Sequence, residues 1–363
     1  MEIPNLITEM ESLKVQEVEK VDQKLVDPDL SVKHDDAAHE PMKPEEKPNA
    51  ARASALDTIL KSLWKINVFK KALTSFTEVD QLRDFILNNL SLTHPMESNG
   101  VYDFLVTILE LLPRWKTGND EEEEEDDEPL KSKFEVYETL SKICNRCKME
   151  IEYPPEPAYG LIVVANSLRR IKASHLFPCS IPTAFHDAKK RFWLLSQCAF
   201  EDLTFEKILK VERITLMMPC DKEGCGKRSY VERGINTLPS VFTIALEWEN
   251  NETEEEISAT TSVLATEIDI SEIYKYKGDS IFTKYRLVSM VCLWGDQYSC
   301  IAYENKSWVL HFDNENEVLG DWGGVLSSFA KLKIRPEILF FENVMGQIKG
   351  TDKIVFGSLG ETF

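Results

Sequence analysis

The sequence predicts an α+β fold, with helices in the first part of the chain and strands in the later part. Between residues 54 and 112, apolar side chains recur every three or four positions, the spacing of amphipathic helices. From about residue 237, short apolar or alternating segments follow one another closely, as strands of one sheet do. Helices and strands that are segregated in this way are typical of an α+β fold.

Composition and charge exclude several classes of protein. Hydrophobic residues make up 43% of the 363 residues, which is enough for a sizeable core. The net charge is −20, but residues 1–50 contribute −7 and the unbroken run Asp120–Glu128 contributes −9. The rest is nearly neutral and offers no basic patch, so we expect no nucleic-acid partner. No apolar segment approaches the roughly 18–20 residues of a membrane span, so we expect no membrane partner.

Two segments are predicted to lie outside the packed core. Residues 1–50 are poor in aromatic residues and rich in Glu, Lys, Asp and Pro, which predicts a disordered acidic tail. Residues 119–129 predict an exposed acidic loop, because nine consecutive acids repel one another. The N-terminus lacks the cationic start and apolar core of a signal peptide. We therefore expect a cytoplasmic or nuclear protein with reduced thiols.

The helical part begins with the most regular segment. Its apolar positions predict an amphipathic helix that starts near Ser54 and continues towards Phe69. Ser54-x-x-Asp57 is close to a capping box, which favours Ser54 as the N-cap of this helix. Two further helices are predicted from about residue 81 to 90 and from 101 to 112. The apolar positions of the first helix are Leu56, Ile59, Leu60, Leu63 and Ile66.

The strands follow in the last third of the chain. In the segment from 237 to 248, alternation places Phe242, Ile244, Leu246 and Trp248 on one face of a strand. A short helix is predicted near residues 258–265, after an acidic run. Further strands are predicted at 285–293, 300–303, 308–312 and 338–341, and the first of these is apolar enough to be covered on both faces.

Four cysteines form a candidate metal site. Cys144 and Cys147 make one short loop, and Cys220 and Cys225 make a second loop that contains a glycine. Two such loops can supply the tetrahedral ligands of a structural Zn²⁺, with no coordination position left open. Incidental buried thiols are the alternative, but the residues between the cysteines are polar.

The other four cysteines stand singly in mostly apolar segments. A lone cysteine in such surroundings is more often a small core residue than a nucleophile. These residues are Cys179, Cys198, Cys292 and Cys300.

A series of segments in the C-terminal third follows the order of the motifs of one known domain. The segments are LPSVFTIALEW, TEIDIS, YRLVSMV, CIAY, the residues Trp308 and His311-Phe312-Asp313, and ILFFE. In this order they resemble the ubiquitin-specific protease domain, although one extra residue separates Trp308 from Phe312. The resemblance covers about residues 51–345 and is closest to divergent plant proteins described as ubiquitin carboxyl-terminal hydrolase-related.

This resemblance implies a papain-like fold with a helical thumb, an antiparallel β palm and zinc-ribbon fingers. The thumb corresponds to the helices from 54 to about 112, and the palm to the strands from 237 to 341. The fingers lie around 140–150 and 218–230, where the four cysteines match the family's zinc site. The strand at 285–293 is expected at the centre of the palm. Residues 346–363 are then a C-terminal tail.

The family's catalytic residues are a cysteine, a histidine and an acid or amide that orients the histidine. Ser62-Leu63-Trp64 fixes the register of the first helix, so Ser54 takes the place of the nucleophile and Asp57 that of a conserved-motif asparagine. Ala302 and Tyr303 fix the register of the histidine motif, so Ser299 takes the place of the general base. Only the orienting acid remains, as Asp313. The glycine-bearing loop before the family's cysteine is absent.

These substitutions favour a catalytically inactive domain that binds ubiquitin or a partner protein, because a serine hydroxyl cannot act as a base towards another serine at pH 7. Two alternatives stay open. One is an active thiol-dependent deubiquitinase that cleaves ubiquitin isopeptide bonds, for which Cys300 is the only cysteine near the expected site. The other is a zinc-stabilised interaction scaffold without ubiquitin binding. His311 is two residues away from the motif and is expected to be a partly exposed strand histidine.

Overall fold

Helices and strands occur in the predicted order in the computed structural model. It describes residues 48–73, 76–90, 100–112, 130–176, 203–213, 217–249, 251–312 and 315–345, all of which belong to one compact unit that begins at Lys47. The predicted C-terminal tail and acidic loop lie outside these residues. So does the predicted N-terminal tail, except that Pro48–Ala50 form the first turn of a helix.

The described residues contain nine α-helices, none of which is long and apolar enough to cross a membrane. The helices are α1 (Pro48–Trp64), α2 (Asn67–Ala72), α3 (Val79–Leu90), α4 (Val101–Leu111), α5 (Ala165–Leu176), α6 (Phe205–Arg213), α7 (Glu254–Thr261), α8 (Ile270–Ile273) and α9 (Trp322–Leu332).

The described strands form two sheets. They are β1 (Val136–Ile143), β2 (Glu150–Ala158), β3 (Leu161–Val164), β4 (Met217–Pro219), β5 (Arg228–Ile235), β6 (Val241–Glu247), β7 (Glu267–Asp269), β8 (Lys275–Tyr276), β9 (Lys284–Trp294), β10 (Gln297–Glu304), β11 (Ser307–Phe312), β12 (Glu315–Gly320) and β13 (Arg335–Asn343).

The finger sheet has the order β2-β1-β5-β4, with β8 paired to β5, and the palm sheet has the order β12-β11-β10-β9-β13-β6-β3, with β7 paired to β9. Strand β9 lies in the middle of the palm sheet, as the family resemblance requires. All the described strand pairings of the palm sheet are antiparallel, except that β3 and β6 are parallel.

Helices cover both faces of the palm sheet, so the sheet separates two hydrophobic cores. The thumb-side core joins residues of α1, α3 and α4 to Val291 and Ile338 of the sheet. The opposite core joins residues of α5, α6 and α9 to Cys292 and Leu339 of the same two strands. Because neighbouring residues of a strand point to opposite faces, β9 and β13 are buried on both sides.

Strand β6 differs from its predicted one-sided burial. The predicted face is confirmed, since Phe242, Ile244 and Leu246 are buried in the opposite core. The other face is buried as well, because Val241 lies in the thumb-side core. Alternation along one strand therefore did not mark a solvent face here.

Two helices begin earlier than the sequence analysis placed them. Helix α1 begins at Pro48, so Ser54 lies inside the helix and the predicted N-cap is wrong. Proline is favoured in the first turn of a helix, where its missing N–H has no partner to lose. Helix α7 begins at Glu254 rather than near 258, because Thr253 and Glu256 form a capping box.

Candidate functional site

The C-terminal half of α1 is fastened to the central strand β9 by buried hydroxyl groups. The Ser62 hydroxyl donates a hydrogen bond of 3.3 Å to the Met290 carbonyl oxygen. In return, the Ser289 hydroxyl donates a hydrogen bond of 2.8 Å to the Ser62 carbonyl oxygen. Ser62 and Ser289 are both buried. This contact fixes how α1 lies on the palm sheet, and therefore which strand residues face it.

The helix α1 presents the positions that match the family's nucleophile and asparagine. Ser54 lies in the second turn of α1, beyond the first turn in which the helix dipole stabilises a thiolate. Asp57 forms ion pairs with Lys61 at 2.7 Å and with Arg83 at 3.4 Å. Its carboxylate is thus engaged by cations of the thumb.

Ser299 lies in β10, but its side chain does not face α1. It stands directly opposite Cys292 across the β9–β10 pair, and directly opposite residues point to the same face. Cys292 belongs to the opposite core, and so does Ile301, which lies two positions after Ser299 and therefore points to the same face of β10. Ser299 is only 1% exposed, and its hydroxyl has no hydrogen-bond partner among the described residues. The match to the general base predicts a hydroxyl that faces the nucleophile position on α1, and the pleat of β10 turns the Ser299 side chain away from this helix.

Cys300 is the residue of the motif that does face α1. It stands opposite Val291 of the thumb-side core. Burial raises the pKa of the Cys300 thiol to about 11, against smaller opposing effects that begin with the Ser62 hydrogen bond. The thiol is therefore protonated at neutral pH. The sequence analysis names Cys300 as the only cysteine near the expected site, but the face that it occupies is fixed by the pairing of β10 with β9, in which Ala302 stands opposite Ser289.

A polar network lies beside Cys300, near the C-terminal end of α1. His311 stands opposite Cys300 across the β10–β11 pair. Its Nε2 lies 2.7 Å from Glu304 Oε1, and its Nδ1 lies 2.7 Å from Asn316 Oδ1. Lys65 at the end of α1 forms a 2.8 Å ion pair with the same Glu304 oxygen. Both ring nitrogens of His311 are thus engaged, as suits the partly exposed strand histidine that was expected.

The ionisation of Glu304 reflects this network. Burial opposes its charge, but the hydrogen bonds and charges of Lys65 and His311 outweigh that effect and lower the pKa of Glu304. Asp313, the position that matches the orienting acid, lies outside the described residues. Of the two matched positions that the structure describes, Ser54 lies on α1, and the side chain of Ser299 faces away from this helix.

The four candidate metal ligands are brought together in the finger sheet. Their sulfur atoms all lie within 4.8 Å of one another. The Sγ atoms of Cys144 and Cys225 are 3.7 Å apart, and those of Cys147 and Cys220 are 3.5 Å apart. A tetrahedral ion with metal–sulfur bonds near 2.3 Å requires sulfur separations of about 3.8 Å. The four thiols therefore fit Zn²⁺.

Two tight turns build the pair of cysteine loops. In the first loop the Cys144 backbone N–H donates to Met149 O at 2.8 Å, and in the second the Cys220 N–H donates to Lys227 O at 2.8 Å. Gly224 and Gly226 have φ angles of 73° and 58°, in the left-handed region that glycine adopts without strain. The first loop lies between β1 and β2 and the second between β4 and β5, and the two loops bring their four sulfur atoms together.

The pKa values of Cys144 and Cys220 are both shifted by their surroundings. Hydrogen bonds that begin with the Cys147 backbone N–H lower the pKa of Cys144 to about 6. The Lys222 backbone N–H favours the Cys220 thiolate too, but desolvation and the neighbouring sulfurs outweigh it and raise the pKa of Cys220 to about 12. Four thiols this close cannot all ionise without a cation between them.

The remaining cysteines follow the expectation where the structure describes them. Cys292 and Cys300 are both buried core residues. Burial raises the pKa of Cys292 well above its ordinary value. Cys179 and Cys198 lie outside the described residues.

Comparison with known proteins identifies the family. The family model described as ubiquitin carboxyl-terminal hydrolase matches residues 38–341. No curated protein sequence matches significantly. Among solved structures, the SAGA DUB module of Ubp8, Sgf11, Sus1 and Sgf73 bound to monoubiquitin is similar at a TM-score of 0.50 and 12% identity, over 94% of this chain and 76% of the other. A second structure of a SAGA DUB module with Ubp8 has a TM-score of 0.47, the same identity and the same coverage.

The similarity at a TM-score of 0.50 supports the predicted fold, which is α+β and papain-like, of the ubiquitin-specific protease type. Because the family model spans most of the chain, it decides the family. The chain belongs to the ubiquitin carboxyl-terminal hydrolase family.

Proposed function

We propose that this chain is a catalytically inactive member of its family that binds ubiquitin or a ubiquitinated partner. The observation that carries the proposal is the position of Ser299. The family's base is replaced there by a buried serine that points into the opposite core. A base must come within hydrogen-bond reach of the proton it removes, and a hydroxyl on the far face of the sheet cannot do so for a residue of α1.

Cys300 does not replace the missing nucleophile in this proposal. A thiolate is the reactive form of cysteine, and the pKa of about 11 leaves Cys300 protonated near pH 7. A nearly complete lack of solvent exposure also denies a ubiquitin C-terminus access to the sulfur.

Ubiquitin is proposed as the ligand because the family fold is retained while the nucleophile and the base are not. The similar SAGA DUB module with Ubp8 is bound to monoubiquitin, which makes the same class of ligand the first to test here. We further propose a cytoplasmic or nuclear location, a domain that spans about residues 51–345, and a relationship to the divergent plant branch. The residues that precede α1 and the acidic run are proposed to remain outside the packed core of this domain.

We also propose that Cys144, Cys147, Cys220 and Cys225 hold one structural Zn²⁺. The ion would connect the β1–β2 turn to the β4–β5 turn. No disulfide does so among the described residues, in which the cysteines are free. Four thiolate ligands leave no open position, so the role is structural rather than catalytic.

The decisive assays are hydrolysis of a ubiquitin–fluorophore conjugate and labelling by ubiquitin with a C-terminal propargyl group. We expect neither reaction with the unmodified protein, nor with Ser54→Ala or Cys300→Ala. Calorimetric titration with ubiquitin should detect binding, and its absence would favour the scaffold without ubiquitin binding. Elemental analysis should give about one Zn²⁺ per chain, and less than about half an equivalent would contradict the metal assignment.

One observation favours the active thiol-dependent deubiquitinase as a second candidate. Cys300 and His311 stand directly opposite each other on neighbouring strands, and His311 is held by Glu304. Cysteine next to histidine is the arrangement of thiol proteases. The matched control is Cys292, which is equally buried but on the opposite face. Hydrolysis that Cys300→Ala abolishes and Cys292→Ala preserves would establish this candidate and overturn our proposal.

A further inference from the structure

A buried lysine lies at the base of the candidate metal site. Lys142 of β1 is only 1% exposed, although burial of an ammonium group is costly unless acceptors surround it. Its Nζ donates to the Pro219 carbonyl oxygen at 2.5 Å, to the Tyr153 hydroxyl at 2.7 Å and to Asp221 Oδ1 at 3.1 Å. These three acceptors use all three N–H bonds of the ammonium group.

The acceptors of Lys142 lie on both sides of the metal site. Lys142 itself is two residues before Cys144, so it belongs to the first cysteine loop. Pro219 and Asp221 are the residues immediately before and after Cys220, so they belong to the second loop. The ammonium group of Lys142 therefore connects the start of the first cysteine loop to the two residues that flank Cys220 in the second loop.

Tyr153 of β2 is the third residue that accepts a hydrogen bond from Lys142. Its hydroxyl lies 3.2 Å from Asp221 Oδ2, and the Lys142 ammonium lies 5.4 Å from the centre of its ring. The network thus joins the paired strands β1 and β2 to the end of β4, which β5 separates from β1 in the finger sheet. Lys275 offers a contrast in the same sheet, because its ion pair with Glu232 is exposed on both sides.

We propose that Lys142 is a positioning residue for the metal site, which sets the affinity of the site by holding the two cysteine loops at bonding distance. The proposal rests on the metal site proposed above. Sulfur atoms that are already near tetrahedral spacing need little rearrangement when the ion binds. Groups that orient the ligands of a metal commonly contribute about 10–100-fold to its affinity.

The test compares Lys142→Met with the matched control Lys275→Met in the full chain. Zn²⁺ affinity is measured by competition with a chromophoric chelator, and the tetrahedral thiolate site is followed by the absorption bands of bound Co²⁺. We expect at least about tenfold weaker Zn²⁺ binding and altered Co²⁺ bands for Lys142→Met. Lys275→Met should match the unmodified protein in both measurements, although it also removes a lysine from the finger sheet.

A second variant keeps the inference testable if Lys142→Met does not fold. Asp221→Asn removes one charged acceptor at the protein surface and should also weaken Zn²⁺ binding, by several-fold. Unchanged affinity in folded Lys142→Met, or unchanged affinity in Asp221→Asn when Lys142→Met is unfolded, would overturn the inference. An unmodified protein that binds no Zn²⁺ would instead overturn the metal site itself, so the two failures are distinguishable.

Discussion

Ser299 and Cys300 are neighbours in β10, and their side chains point to opposite faces of the palm sheet. Ser299 stands opposite Cys292 of the core formed with α5, α6 and α9, whereas Cys300 stands opposite Val291 of the thumb-side core and faces α1. A difference of one position therefore separates a residue that could act on α1 from one that cannot. The face of the strand decides the chemistry that the motif retains.

Restoring the family's residues at the matched positions should not restore activity. We expect Ser54→Cys, alone or with Ser299→His, to show no hydrolysis of ubiquitin–fluorophore above background, because residue 299 points away from α1. A larger side chain at this buried position should also cost about 1–3 kcal/mol of stability. Each variant is checked for folding by thermal unfolding. Cleavage by the double variant alone, with a pH dependence of an imidazole base, would place residue 299 beside α1 and contradict the structure.

Removal of the Ser299 hydroxyl should leave stability unchanged or raise it. Ser299→Ala deletes a buried oxygen that has no hydrogen-bond partner among the described residues, so only the cost of its burial is lost. Ser289→Ala is the matched control, because Ser289 is buried in the neighbouring strand but donates to the Ser62 carbonyl oxygen. We expect the control to lose about 1 kcal/mol in urea unfolding. Equal losses in both variants would contradict the assignment of faces.

Glu342 is expected to be important for the contact between thumb and palm. This fully buried carboxylate at the end of β13 accepts hydrogen bonds from the Val68 backbone N–H at 2.9 Å and from the Asn67 side chain at 3.2 Å, at the start of α2. Glu342→Gln should lower the free energy of unfolding by about 1–3 kcal/mol, since it weakens charge-assisted bonds in a buried site. Glu267→Gln, which removes an exposed ion pair with Arg286, should lose at most about 1 kcal/mol. Equal effects would contradict this role.

The lowered pKa of Glu304 predicts a contribution to acid sensitivity. A carboxyl group with a lower pKa in the folded state stabilises the fold above its unfolded pKa, near 4.5, and loses this contribution as the pH falls through the folded pKa. Glu304→Gln should therefore make the unfolding free energy less dependent on pH below about 4.5. Lys65→Met removes one cause of the lowered pKa and should act in the same direction. The same dependence of the unfolding free energy on acidic pH in the unmodified protein and in Glu304→Gln would refute this prediction.

Much of the architecture could be predicted from local pattern. The 3.6-residue periodicity identified α1, and the apolar run at 285–293 identified the central strand of the palm sheet, because such a run suits a strand with helices on both faces. Helix ends were less accurate. Ser54 has the residue type of a cap, but Pro48 and the alanines after it extend the helix by two turns.

The sequence by itself determined the candidate metal site and the family. The four cysteines could be grouped because short loops have few conformations, and the family could be recognised because its motifs follow one another in a fixed order. Which residues face one another was decided only by the tertiary structure. Whether β10 turns Ser299 or Cys300 towards α1 depends on the register of β10 against β9 and on the hydroxyl contacts of Ser62. A pairing register that differs by one residue exchanges the two faces of a strand, and no local pattern in β10 specifies that register. The enclosure of Lys142 between the cysteine loops likewise depends on residues that are 11 to 79 positions away.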